Sequence, residues 1–266
     1  MKQVKIVRRL SWLIAALICL TSWQGLVSPE TYIKETELWA AQARGQDLIN
    51  LYIIPFYLLS VLLIDRKEKY FALIWTGISC YFIYTFLIYC FDIQFNRLFL
   101  LYVFILGLSC YSLFFLLYSN RNTIRVSGEN SFLHQLTGGY FIFTAVLFYG
   151  AWLAAIIPAN LLNNMPPDLE MLPTNPVHVL DLSIVLPGIF IGGVLLIRNK
   201  KPGYFLAPVI LTFSLLMQLT IGVLMLFLTD HGQNTPVALI WFIFSLSLIS
   251  LILLLSLLKT NHADYE

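Results

Sequence analysis

Apolar residues run through the chain in long stretches separated by short polar turns. A bilayer's hydrocarbon core, about 30 Å thick, takes about 20 helical residues to cross. Windows of that length cover Leu10–Ser28, Gln46–Ile64, Phe71–Phe91, Arg97–Tyr118, Gln135–Ile157, Val177–Ile197, Tyr204–Leu228 and Pro236–Leu258. These runs lack the apolar–polar alternation of barrel strands. Hydrocarbon offers the backbone no hydrogen-bond partners, so each run reads as a helix that satisfies its own amides. The expected fold class is all-α: one integral membrane domain over residues 1–266, a polytopic bundle of eight transmembrane helices.

Charge orients the bundle. Lys and Arg number 16, and with the N-terminus inside, thirteen fall on inner segments, among them Arg66, Lys67, Arg121, Arg125, Arg198, Lys200 and Lys201. Only Lys34, Arg44 and Arg97 fall outside. By the positive-inside rule this predicts a multi-pass protein of the cell membrane with both termini cytoplasmic. The outer segments are acidic instead: Glu30, Glu35, Glu37, Asp47, Asp92, Asp168, Glu170, Asp181 and Asp230. The first span has a basic start like a signal peptide, but LTSWQGLVSPE offers no small-x-small cleavage site, so it reads as a retained helix. The longest loops, Pro29–Gly45 and Pro158–Pro176, lie outside and are expected to cap the outer mouth of the bundle.

Composition agrees with hydropathy. The chain is 59% hydrophobic and 11% charged, where soluble domains run near half apolar and a quarter charged. Mean hydropathy is +0.81. A net charge of +2 gives no ground for a nucleic-acid partner; membrane lipids are the expected surroundings. Cys19, Cys80, Cys90 and Cys110 all fall within spans and form no CxxC pair, so they read as packing residues.

INLYIIPFYLLSVLLIDRKEKYFAL, around the second span, and LDLSIVLPGIFIGGVLLIRNKKPGYFLA, around the sixth, share a proline (Pro55, Pro187), the string VLLI, a basic turn and Tyr-Phe. They suggest a parallel 4+4 pseudo-repeat over 1–125 and 126–266. Proline inside a span frees a carbonyl and bends the helix, so two bent helices are expected to splay the outer half. Gly188 and Gly192 have a GxxxG spacing that permits close helix approach.

Polar residues gather at the outer helix ends rather than at the bilayer centre, which argues against a central carboxylate relay or a voltage sensor. Asp47 and Asn50 share one face of span two, and His178 and Asp181 one face of span six. Asp92 closes span three, with Tyr89, Thr85, Tyr84 and Tyr81 leading inward; Asn96 and Arg97 open span four, and Gln218 is the strongest hydrogen-bonding side chain within span seven. Each has a plainer reading: first-turn carboxylates favoured by the helix dipole, a snorkelling arginine, an aromatic belt, or a glutamine that joins helices.

Metal chemistry has weak candidates in His178, Asp181 and His231, without a motif behind them. The eight-helix layout is similar in architecture to haem A synthases. Those place histidines in both halves, and the first half here has none, so no residue carries over and no cofactor is expected. NPVHVLDLSIVLPG (Asn175 to Gly188) and GQDLINLYIIPFYLLSVLLIDRK (Gly45 to Lys67) resemble bacterial multi-pass integral membrane proteins of no assigned activity. That resemblance implies topology and no reaction.

The expected function is binding or transport of a small or amphipathic molecule in an outer-leaflet pocket. Asp47, Asn50, His178 and Asp181 would supply polar contacts and Tyr81, Tyr84 and Gln218 the floor, with Asp92, Asn96 and Arg97 as further ligand-binding candidates. The alternatives are an intramembrane metal or haem enzyme and a non-catalytic assembly or sensory subunit.

Overall fold

A computed structural model describes residues 2–64, 69–120, 131–164 and 174–262. Arg66, Lys67, Arg121, Arg125, Asp168 and Glu170 lie outside the described residues. The described residues hold eight helices long and apolar enough to cross a membrane: α1 (Lys2–Val27), α2 (Glu37–Leu63), α3 (Lys69–Phe91), α4 (Phe99–Asn120), α5 (Ser131–Leu161), α6 (Pro176–Ile197), α7 (Lys201–Asp230) and α8 (Val237–His262). No β-strand occurs among the described residues. The protein is an all-α, multi-pass membrane bundle.

The expected outer-loop boundaries move. The Pro29–Gly45 segment is not all loop: α2 begins at Glu37, where Thr36 caps it by accepting the Trp39 amide at 3.3 Å. An Ala-rich stretch (ELWAAQAR) then favours helix from that cap onward. Asp47 therefore stands ten residues, about 15 Å, along α2, and a first-turn dipole role does not apply to it. Pro158, expected to open a loop, lies inside the last turn of α5.

Burial is inverted relative to a water-soluble protein. Large apolar side chains point outward along the helices, with Leu100 76% and Trp241 69% exposed, and so extensive an apolar exterior is stable only against lipid. Small and polar side chains turn inward instead: Ser11, Ser22, Thr76 and Ser79 are buried.

The core forms two clusters. One is built from α1–α4 and the short 3-10 turn Pro29–Tyr32, the other from α5–α8. Helices α3 and α7 pack against each other across the middle, and α2 also packs on α7. At the α5–α6 contact, Gly138 and Gly193 face each other so closely that a Cβ on either would meet the other's carbonyl oxygen at 2.7–2.8 Å. The close approach to α5 is thus made at Gly193; of the GxxxG pair, Gly192 packs closely against Ile210 of α7, while Gly188 meets nothing.

The two prolines give different backbones. The helix of α2 runs through Pro55 unchanged in type. In α6, Pro187 follows a π-helical turn, Asp181–Val185, in which the Leu186 amide bonds the Asp181 carbonyl. A single π turn inserted in a helix is a wider, less stable arrangement that recurs at functional sites.

Candidate functional site

The chain alternates direction, so the turns after α1, α3, α5 and α7 share one end, here the acidic end. There the structure divides the sequence-predicted residues among three places.

Asp47 and Asn50 lie in a sealed cluster among α1, α2, α3 and α7. Asp47 is 1% exposed. Its Oδ2 accepts from the Tyr32 hydroxyl at 2.5 Å and its Oδ1 from the Tyr89 hydroxyl at 2.8 Å. Burial, then the neighbouring Asp47 carboxyl, holds the Tyr32 phenol well above its ordinary pKa, so it remains a donor. Gly25 of α1 makes room: a Cβ there would collide with the Asp47 carboxylate. Asn50 stands one turn further in, where Gln46 Nε2 donates to its Oδ1 at 3.0 Å and to the Tyr81 hydroxyl at 2.6 Å. Asn50 Nδ2 reaches Ser22 at 3.4 Å, and Tyr81 meets Thr220 at 2.9 Å. The cluster ties four helices together and is closed over by Tyr32.

Asp181 lies on the other flank of α3, among α3, α5 and α6. Asn175 caps α6, its Oδ1 accepting the Val177 amide at 2.9 Å, with Pro176 at the first helical position; this Asn-Pro start is a favoured way to begin a helix. The Tyr84 hydroxyl donates to Asp181 Oδ1 at 2.9 Å and the Trp152 indole to Oδ2 at 2.8 Å. His178 is buried and sits edge-on to Trp152, ring centroids 4.5 Å apart. The π turn leaves the Leu182 carbonyl to accept from the Tyr149 hydroxyl at 2.8 Å.

From Asp181 a narrow fissure of about 40 Å3 runs inward between α5, α6 and α7, past Phe148, Phe213 and Met217 to Ser214 and Gln218. Ser214 Oγ is buried there without a hydrogen-bond partner. Gln218 is held at both ends of its amide: its Nε2 donates to the Tyr140 hydroxyl at 2.9 Å, its Oε1 accepts from Ser250 at 2.9 Å, and Tyr140 donates on to the Leu246 carbonyl at 2.9 Å.

Asp92, Asn96 and Arg97 occupy the rim at the α3–α4 turn. Asp92 is 3% exposed, neither carboxylate oxygen has a hydrogen-bond partner, and it borders an open cleft of about 260 Å3 with Phe91, Phe95 and Phe99. Burial, then the nearby Glu35 carboxylate, pushes its pKa up to about 7. The α1–α2 segment is strapped to this turn, with Lys34 Nζ on the Phe95 carbonyl at 2.8 Å and the Gln94 amide on Glu35 Oε1 at 2.6 Å. Asn96 Oδ1 accepts the Leu98 amide at 2.8 Å, while Arg97 is exposed and meets Glu30 at 3.5 Å.

The weak metal trio does not share a neighbourhood of that kind. His231 is exposed, with Nδ1 2.8 Å from the Phe227 carbonyl of its own helix. Among the described residues no three His, Cys, Asp or Glu side chains group so as to hold a metal ion. Sequence reasoning missed Tyr32, Gln46, Trp152, Tyr140 and Ser250. Aromatic side chains near helix ends look alike in sequence whether they face lipid or a carboxylate, so only the QxxxN pairing of Gln46 with Asn50 at i and i+4 was a usable signal.

Comparison with protein-family models, curated proteins and solved structures finds no match for this chain. The site geometry alone carries the functional reading.

Proposed function

We propose that this multi-pass membrane protein binds, for storage or passage, a small or amphipathic molecule in the fissure between α5, α6 and α7, with its acidic end on the outer face of the cell membrane and both termini in the cytoplasm. The observation that carries the reading is a cavity inside the bundle that ends in a partly exposed carboxylate, Asp181. Ligand sites of this kind are mostly apolar with a few placed polar groups, and the fissure has that make-up. The π turn beside it is a second support, since it frees backbone for a site at the expense of helix regularity. Orientation rests on the excess of Lys and Arg in the segments at the opposite end.

The test is native mass spectrometry of the protein released from nanodiscs. A co-purifying molecule is expected on the wild type and absent from Ile221→Trp, which fills the fissure from a partly exposed position. An identical mass profile for both proteins refutes the reading. Tags at the two termini, both reachable only from the cytoplasm, check the orientation.

A further inference from the structure

The walls of the fissure restrict what it can hold. Building on the reading of the fissure as a ligand site, we propose that the group seated there is a primary ammonium carried on an apolar chain.

Asp181 supplies the charge. Its two oxygens accept from neutral donors, the Tyr84 hydroxyl and the Trp152 indole. An indole N–H can only donate, so Oδ2 serves as an acceptor, and each carboxylate oxygen keeps a further lone pair. Among the described residues no Lys or Arg pairs with Asp181, and the basic side chain that acts on it is His178, one turn earlier on α6. The cavity on the open side of the carboxylate leaves room for a further opposite charge on a bound group.

The other acceptors set the kind of cation. Ser214 Oγ of α7 is buried in the fissure without a partner. Thr144 Oγ1 of α5 donates to the Tyr140 carbonyl at 2.8 Å and keeps its lone pairs. Acceptors from three helices thus line one cavity, and a primary ammonium on the Asp181 carboxylate still has N–H donors left for a hydroxyl along its walls. A quaternary ammonium has none, and an anion is repelled. The volume of about 40 Å3 corresponds to roughly three water positions, the size of an aminoethyl group and too small for a trimethylammonium with its linker. Phe148 and Phe213 line the same space, offering aromatic and apolar contact to the chain. An ethanolamine lipid headgroup and a free long-chain amine present the same chemistry.

The test titrates wild-type protein in phosphatidylcholine nanodiscs with radiolabelled dodecylamine, dodecyltrimethylammonium and dodecanol, with empty-nanodisc uptake subtracted. Dodecylamine should bind at least about tenfold more tightly than the other two, the scale of one charge-assisted contact. Asp181→Asn should bring dodecylamine to the dodecanol level. Ser214→Ala, which removes only an unpartnered hydroxyl and leaves folding intact, should weaken dodecylamine about threefold and leave dodecanol unchanged. Equal binding of the amine and the trimethylammonium, or a preference that survives both substitutions, overturns the ammonium assignment while the fissure reading stands, provided Ile221→Trp still blocks uptake. If none of the probes binds the wild type, or all bind Ile221→Trp equally well, the fissure reading itself fails. Repeating the titration in phosphatidylethanolamine nanodiscs separates the sources: competition points to the lipid headgroup, unchanged affinity to a free amine.

Discussion

Asp47 and Asp181 each accept a phenol from α3, Tyr89 at 2.8 Å and Tyr84 at 2.9 Å, and each takes a second aromatic donor, Tyr32 or Trp152. Their surroundings then diverge. Asp47 is sealed at 1% exposure beneath Tyr32 and against the bare backbone of Gly25. Asp181 is partly exposed, begins a π turn and borders a cavity. The same pairing chemistry serves a structural tie in one flank of α3 and, in the proposed reading, a binding group in the other. What separates the two is the space left beside the carboxylate, because a carboxyl enclosed by its donors has nothing left to offer a ligand.

That contrast can be broken by substitution. The largest effect should come from Asp47→Ala, which strands the buried Tyr32 phenol, leaves Tyr89 only the Ala43 carbonyl at 3.3 Å and opens a void among four helices; leaving a buried polar group unpaired costs about 1–3 kcal/mol. The expected loss of roughly 3 kcal/mol or more should appear as a sharply lower Tm and poor monodisperse yield. Gly25→Ala pushes a methyl into the same carboxylate and should cost about 1–3 kcal/mol, read by the same melt. Asp181→Asn should cost about 1 kcal/mol or less, since the amide keeps an acceptor for one aromatic donor, yet should remove the co-purifying molecule. If Asp181→Asn destabilises as much as Asp47→Ala, the division into tie and binding group is wrong.

A pH titration sharpens the comparison further. Asp92 has its pKa raised from the usual carboxylate range of about 4 to about 7. The folded state therefore holds its proton more tightly than the unfolded chain. The stability this contributes is fully present below about pH 4 and is lost as pH rises through about 7. Tm should fall over that window, and Asp92→Asn should flatten the slope. The smallest effect belongs to Arg97→Ala, whose partner contact with Glu30 is exposed on both sides; no measurable change in Tm is expected.

Much of the fold was legible because the bilayer imposes one length scale on every span. Runs such as Tyr204–Leu228 needed no partner to be recognised, and the observed helix, Lys201–Asp230, adds only its flanking turns. The start of α2 was less legible: ELWAAQAR carries charge and reads as loop by hydropathy, whereas the Thr36 cap and Ala propensity make it helix. At the candidate site the residue types were readable and their grouping was not. Asp47, Asn50 and Tyr81 were placed with Asp181 and Gln218 in one pocket, and the structure sets α3 between the two groups.

Hydropathy and charge, read along the chain, determine that this protein is a bundle of membrane helices, because burying a backbone in lipid is a local requirement that each segment meets by itself. Which polar side chains meet is a property of the assembled bundle. Tyr84 finds Asp181 across 97 residues and Tyr140 finds Ser250 across 110, and no periodicity within a helix encodes such a meeting. The π turn before Pro187, absent at Pro55, belongs to the same class: the two prolines look alike in sequence, and the packing around each decided which helix took the wider turn.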